Sequence, residues 1–236
     1  MYLHKLATVL LAFGLAAPAL ARDEGGISSL AISRCAGKVG IDTRQSDAAF
    51  GLIALDGIPW VTIERTEESV GTQPITTTVT GMGAFHRRNG TSIPFRFTCV
   101  LDARGEALMF HASPLMRNLG DSLPPATVVV GSASYPERMV LPKGVELRVQ
   151  LLDIGKPSTA QVIAEQVVRS GWQVPIPFTL RLPKDWSLED RKLAIAARLV
   201  LAHRSLFELT EPRPITAADL RKPIELTLEK VESSNH

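Results

Sequence analysis

Almost every residue pattern that marks an enzyme is missing from this chain. Only two cysteines occur, Cys35 and Cys99, and they form no CxxC, which leaves redox catalysis without its usual dithiol. Beyond the first 21 residues the histidines are His86, His111, His203 and His236. None stands within four residues of another or at a ligand spacing such as HxH or HxxxH, so each reads as a single surface or turn histidine. GxSxG and SxxK are both absent. His111-Ala-Ser113 has suitable residue types, but neighbours on one strand make no triad. Gly81-Met-Gly83 begins like a dinucleotide loop, yet no third glycine and no helix follow; a glycine-weakened strand or a bulge is expected instead. No catalytic, cofactor-binding or metal-ligating residue is therefore assigned, and the chain is read as a non-enzyme.

Excess charge is missing too. The chain has 26 Lys and Arg against 24 Asp and Glu, a net charge of +2, with no basic cluster in sequence, a poor basis for binding nucleic acid or anionic lipid. Glu67-Glu68 and Glu189-Asp190 read as solvated loop carboxylates. No apolar run reaches membrane-spanning length. The run Leu6 to Leu15 follows Lys5 and precedes Ala19-Leu-Ala21, a small-x-small cleavage site before Arg22, so residues 1–21 read as a secretory signal peptide. Its removal takes one Lys and no acid, and the expected location is the periplasm.

What is present is alternation. Val145, Leu147, Val149 and Leu151 face one way and Glu146, Arg148 and Gln150 the other; Val174, Ile176, Phe178, Leu180 and Leu182 repeat the pattern. A period of two marks half-buried strands, and two such strands imply a second sheet to pack against. Strands are expected near 128–135, 144–152, 159–169, 172–182, 191–202, 206–210 and 224–230. Residues 191–202 have the Ala and Leu content of a helix, although Leu193, Ile195, Ala197, Leu199 and Leu201 alternate. Pro175 and Pro177 remove donors from one side of their strand, which therefore belongs at a sheet edge.

The preceding part reads as a helix over 28–39, with Ile27, Ala31, Cys35 and Val39 in one stripe. Strands follow over 50–55, 60–64, 75–86, 92–102 and 107–112. Arg87-Arg-Asn-Gly90 and Asp102-Ala-Arg-Gly105 are hairpin turns, the first of which also accounts for the acceptor-like Asn89-Gly-Thr91. Cys99 alternates with the buried face of its strand. In an exported chain two cysteines allow one intramolecular bridge, Cys35 to Cys99, contributing about 4 kcal/mol in the chain-entropy model; two buried free thiols are the alternative. Leu115 to Thr127, with Pro124-Pro125, breaks all periodicity and reads as a linker. The expected domains are thus a signal peptide (1–21), a helix-plus-meander unit (22–114), a linker (115–126) and a sandwich (127–232), with few contacts crossing the linker. No internal repeat or low-complexity segment is evident.

Tyr135-Pro-Glu-Arg-Met-Val-Leu-Pro-Lys-Gly144, Val149-Gln-Leu-Leu-Asp153, Val162-Ile-Ala-Glu-Gln166 and Gln173-Val-Pro-Ile-Pro-Phe178 together resemble the YbaY/YscW family of small bacterial envelope lipoproteins, over residues 126 to 217. YscW is the lipoprotein chaperone, or pilotin, of a type III secretion secretin. The resemblance implies an immunoglobulin-like β-sandwich, hence a mainly β chain with a small α+β unit before it. It decides for strand at 191–202 and supplies no catalytic residue. It also prompts a search for a lipidation site. Arg22 stands where the acylated cysteine would be, and Cys35 follows Ile32-Ser-Arg34, so neither a lipid anchor nor a membrane span is expected.

The leading expectation is an interaction or chaperone-like module of the cell envelope with an unidentified envelope protein as partner. A pilotin-like secretin chaperone is one alternative, and a hydrolase whose residues assemble only in three dimensions is another. Trp60, Trp172 and Trp186 are candidates either for core plugs or for a ligand groove.

Overall fold

The computed structural model describes residues 24–46, 50–115, 123, 125–137, 139–155, 160–170, 174–188, 190–216 and 218–231. The signal peptide, most of the linker, Trp172, Glu189 and His236 lie outside them. The protein is mainly β, with one helix ahead of the strands.

Helix α1 (Glu24–Ser46) is longer at both ends than the expected 28–39. Its buried stripe, Ala31, Ile32, Cys35, Ala36 and Val39, follows the i, i+3, i+4 spacing and lies on the sheet. Five strands come next: β1 (Phe50–Asp56), β2 (Thr62–Val70), β3 (Gln73–Arg87), β4 (Ser92–Leu101) and β5 (Ala107–Pro114). They form a meander whose tight turns contain Gly71, Gly90 and Gly105, all at positive φ. β1 and β2 lie one after the other along the same side of β3, with residues 57–61 between them. Glu67 and Glu68, expected in a loop, stand exposed on β2, because that strand continues to pair with β3 as far as Val70.

The second part supplies β6 (Ala126–Ser134), β7 (Glu146–Asp153), β8 (Gln161–Ser170), β9 (Ile176–Pro183), β10 (Leu193–Leu201), β11 (Arg204–Glu208), β12 (Arg213–Ile215), β13 (Ile224–Thr227) and β14 (Glu229–Lys230). The alternating residues 193–201 are strand in spite of their helix-favouring composition. β13, β6 and β9 make a small sheet in which β6 pairs β13 in parallel and β9 antiparallel. The large sheet runs β14-β11-β10-β7-β8-β1-β3-β4-β5, with β2 beside β3 and β12 beside β10.

That order corrects the expectation that few contacts cross the linker. β1 pairs β8 from Leu52–Ser170 to Asp56–Gln166, so the sheet is continuous through both parts of the chain. Two hydrophobic cores lie on its opposite faces. On one, α1 covers Ile53, Leu55, Val79, Phe95, Phe97, Cys99, Leu101 and Val167. On the other, the small sheet covers Leu147, Val149, Leu151, Val168, Ile195, Leu199 and Phe207, and also Ala54 of β1. Fully buried side chains such as Leu55 and Phe95 each stabilise by about 1.5–3 kcal/mol relative to exposure. A disulfide joins Cys35 of α1 to Cys99 of β4, with Cα atoms 5.9 Å apart.

Gly81 and Gly83 are neither bulge nor loop. They sit in regular register opposite Phe97 and Phe95, whose rings lie where a side chain at either glycine would have to go.

Candidate functional site

Two polar clusters interrupt the apolar packing, and both lie where β8 meets its neighbours. The first surrounds Asp56 at the end of β1. Its Oδ1 accepts a hydrogen bond from Gln166 Nε2 of β8 at 3.0 Å, and its Oδ2 stands 3.3 Å from Arg181 Nη1 of β9. The Arg181 guanidinium also lies over the Trp60 ring, 5.1 Å from its centroid. Burial pushes the Asp56 carboxyl up to about 6, against the lowering pull of Arg181 and Gln166.

This cluster also seals the β9 edge. Alternate residues of a strand turn their backbone groups to the same side, so Pro177, Thr179 and Arg181 share the side turned away from β6. Pro177 has no N–H. Thr179 N–H donates to Gln166 Oε1 at 2.7 Å, and the Arg181 carbonyl accepts from Trp60 Nε1 at 2.7 Å. β9 is thus an edge strand, as its prolines led one to expect, and its edge is satisfied by side chains from two other segments. Trp60 is a structural plug. Trp186 lies in the loop after β9, 37% exposed, and takes no part in the cluster.

The second cluster lies beneath α1, on the face that β7 and β8 turn toward the helix. Ser29 Oγ and Gln150 Nε2 both donate to Glu165 Oε1. Arg148 Nη2 donates to Ser33 Oγ at 2.6 Å and to the Ser29 carbonyl at 3.2 Å, while its Nε stands 3.8 Å from Glu165 Oε1. Alongside, Arg169 Nη1 donates to Glu146 Oε1 at 3.1 Å. Burial raises both glutamates above the ordinary carboxylate range, although Ser29 and Arg148 act against it at Glu165, and Ser33 and Arg169 at Glu146. The same desolvation lowers Arg148. Arg169 reaches its place because glycines leave room for it: a Cβ at Gly40 would come within 2.7 Å of Arg169 Cδ, and one at Gly37 within 3.1 Å of Nη1.

Outward from this cluster opens a groove of about 370 Å³ between α1, the turn before β7 and the β10–β11 turn. Its lining includes Arg34, Lys38, Lys143, Arg148, Arg169 and His203, with Glu106 and Glu146 as its carboxylates. The β10–β11 turn holds Ala202 and His203 at φ values of 46° and 71°, a two-residue turn that ordinarily takes Asn-Gly.

Elsewhere, His111 Nε2 lies 3.1 Å from Ser113 Oγ, since residues two apart share a strand face, but both are exposed and no carboxylate bonds the imidazole among the described residues. Among those residues no group of three or more His, Cys, Asp or Glu is placed to hold a metal ion, and no helix is long and apolar enough to cross a membrane. Sequence reasoning missed Asp56, Glu165, Gln166 and Arg181. The available signal was a carboxylate placed directly after or within apolar strand runs, Ile53-Ala-Leu-Asp56 and Val162-Ile-Ala-Glu165.

Comparison with known proteins gives a partial match. Residues 124–228 match the family model of the type III secretion system lipoprotein chaperone YscW. Among solved structures, an alternative pilotin from the type II secretion system of Vibrio cholerae is similar at 24% identity and a TM-score of 0.42, over 46% of this chain and all of that one. No curated protein matches.

Proposed function

We propose that this protein is a non-enzymatic, chaperone-like binding module of the cell envelope, exported by residues 1–21 and carrying no lipid anchor. The observation that carries this reading is the match of residues 124–228 to a lipoprotein chaperone family. The chemistry of the two polar clusters supports it. Asp56 and Glu165 are engaged by arginine, glutamine and serine and closed off by packing, an arrangement that fixes elements in place rather than presenting a reactive group to a substrate. A surface for a partner is available on β6, whose outward row leaves Val128 50% and Val130 43% exposed beside the sealed β9 edge. The pilotin-like alternative follows from the same family match and makes the partner a secretin subunit.

Crosslinking in whole cells, followed by affinity capture of the tagged chain and mass spectrometry, tests the proposal. An envelope protein is expected to be enriched, and Val128→Asp with Val130→Asp is expected to abolish that enrichment while leaving thermal unfolding within a few degrees. Enrichment of a secretin subunit would select the pilotin-like form. A mature N-terminus at or near Arg22 is expected, and an acylated N-terminal cysteine would contradict the export reading. Turnover of an ester or peptide substrate, lost on Ser113→Ala, would overturn the proposal in favour of a hydrolase.

A further inference from the structure

A sheet edge offers backbone donors and acceptors to any extended chain, and proteins blunt such edges with charge, proline, brevity or a covering element. The edge strands of this protein are blunted in these ways with one exception, an arrangement independent of the chaperone reading. β2 carries Glu64, Arg65, Glu67 and Glu68, β12 is the short Arg213-Pro-Ile215, and β14 is only Glu229-Lys230. In the small sheet, the Glu225 carbonyl of β13 accepts from Arg213 Nη1 at 2.8 Å, and β9 is sealed by Gln166 and Trp60. The exception is β5, which ends the large sheet opposite β14. Its sequence, Ala107-Leu-Met-Phe-His-Ala-Ser-Pro114, holds no charged residue and no proline before its last position. Among the described residues no strand pairs its outer side.

Which backbone groups β5 turns outward follows from its pairing with β4. Leu115 N–H donates to the Pro94 carbonyl at 3.0 Å, and Pro114 to Phe110 continue in the same register opposite Phe95 to Cys99. Hydrogen-bonded and non-bonded pairs alternate in an antiparallel ladder. Ser113, His111 and Met109 therefore bond to β4, while Ala112 and Phe110 turn N–H and C=O away from it. Side chains alternate in step. Phe110 and Ala112 are half-buried against the core beneath α1, and Met109, His111 and Ser113 stand exposed on the other face.

We propose that β5 pairs antiparallel with β5 of a second copy of this chain, in the register centred on His111. Phe110 then stands opposite Ala112 of the second copy, and Ala112 opposite its Phe110, so every outward N–H and C=O of these residues is bonded. On the α1 face a ring meets a methyl group. On the other face Met109 meets Ser113, and His111 faces its own equivalent at the twofold axis. Neither strand carries Lys, Arg, Asp or Glu, so no like charges oppose each other. The strand is complementary to itself in hydrogen bonding, size and charge, which favours a second copy over an unrelated chain as the occupant. The pairing is short beside a standard interface, so the dimer is weak and exchanges with the monomer.

Analytical ultracentrifugation of the full mature chain over a wide range of concentration tests the pairing, and a monomer–dimer equilibrium is expected. Ala112→Pro removes an N–H that points away from β4, so the ladder within the sheet stays intact. It is expected to weaken association by about ten-fold or more, with thermal unfolding within a few degrees of the unchanged chain. His111 is exposed, and His111→Lys or His111→Glu places like charges together at the axis. Each variant is expected to be monomeric alone, whereas an equal mixture of the two is expected to dimerise, because opposite charges then face each other. That rescue separates loss of pairing from loss of folding. A chain that stays monomeric at the highest concentration, a dimer that Ala112→Pro or His111→Lys leaves intact, or a mixture that fails to dimerise would overturn the proposal.

Discussion

Replacing Arg181 by methionine should turn a modest pH dependence of stability into a steep one. Asp56 is 5% exposed, and its carboxyl is raised from an ordinary 3.8 to about 6 even with the guanidinium beside it. Because the folded value is the higher one, folding takes up a proton between about pH 4 and 6, and stability falls as pH rises through that window. A shift of about two units corresponds to about 3 kcal/mol, present as a cost above pH 6 and relieved below pH 4. Methionine keeps much of the arginine's apolar stem over Trp60 but removes the charge, so the Asp56 value must climb further. Breaking a buried pair on one side costs about 3–5 kcal/mol, and that loss is expected at pH 8. At pH 5 the carboxyl is protonated and still bonded to Gln166. The loss should then shrink to about 1 kcal/mol, the size of the forfeited contact between guanidinium and ring. Urea unfolding followed by circular dichroism at pH 5, 6.5 and 8 measures this. The double variant Asp56→Asn with Arg181→Met should recover most of the pH 8 loss. A loss of equal size at all three values, or one below 1 kcal/mol at pH 8, would refute the assignment of Asp56 as the responsible group.

Three further outcomes follow from the packing. Gly40→Ala, which stabilises an exposed helix by about 1 kcal/mol, should destabilise this protein in thermal unfolding, because the added methyl collides with Arg169 and pulls it from Glu146. Cys99→Ala should lower stability by about 2–5 kcal/mol in denaturant unfolding, and a loss under 1 kcal/mol would mean that α1 is held by its apolar stripe alone. A fragment beginning at Ala126 lacks β1, which exposes the β8 edge with Val167 and Glu165. It should self-associate in analytical ultracentrifugation and be solubilised by co-expression with residues 22–123, whereas a stable monomer would show that β8 needs no partner.

Alternation was legible wherever one face of a strand carries polar side chains, as at β4, β7 and β9, and it located those strands to within a few residues. At β1 and β8, which were also located, it names no inward face, for a definite reason. Both strands are buried on both faces, so Leu52-Ile-Ala-Leu55 and Val162-Ile-Ala164 read as unbroken apolar runs with no preferred side. Those runs were the mark of a shared strand pair at the centre of one sheet, and the proline pair at 124–125 drew attention to a break in sequence that is not a break in the sheet. The polar clusters were hidden for a different reason: Asp56 meets Gln166 and Arg181 across separations of 110 and 125 residues, and no local pattern encodes such a pairing. Ser29 meets Glu165 across 136. The groove beside α1 was missed because its lining comes from separate segments, each ordinary alone.

The pairing of β1 with β8 also sets an order of events while the chain is being made. Synthesis delivers the amino-terminal part first, at about 5–20 residues per second, so β1 to β5 emerge while β8 has yet to appear. During that interval the β1 edge is open, the glycines of α1 face an arginine that has not arrived, and one side of the meander lacks its neighbour. Cys99, however, is out of the ribosome well before Gln161, so in an oxidising compartment its bond to Cys35 can form early. The bridge then keeps the helix over Phe95 and Phe97 and shortens the time for which an apolar surface is offered to other chains. The cross-link would then also hold a nascent half-molecule, and its loss should lower the yield of folded protein in addition to the stability of the finished one.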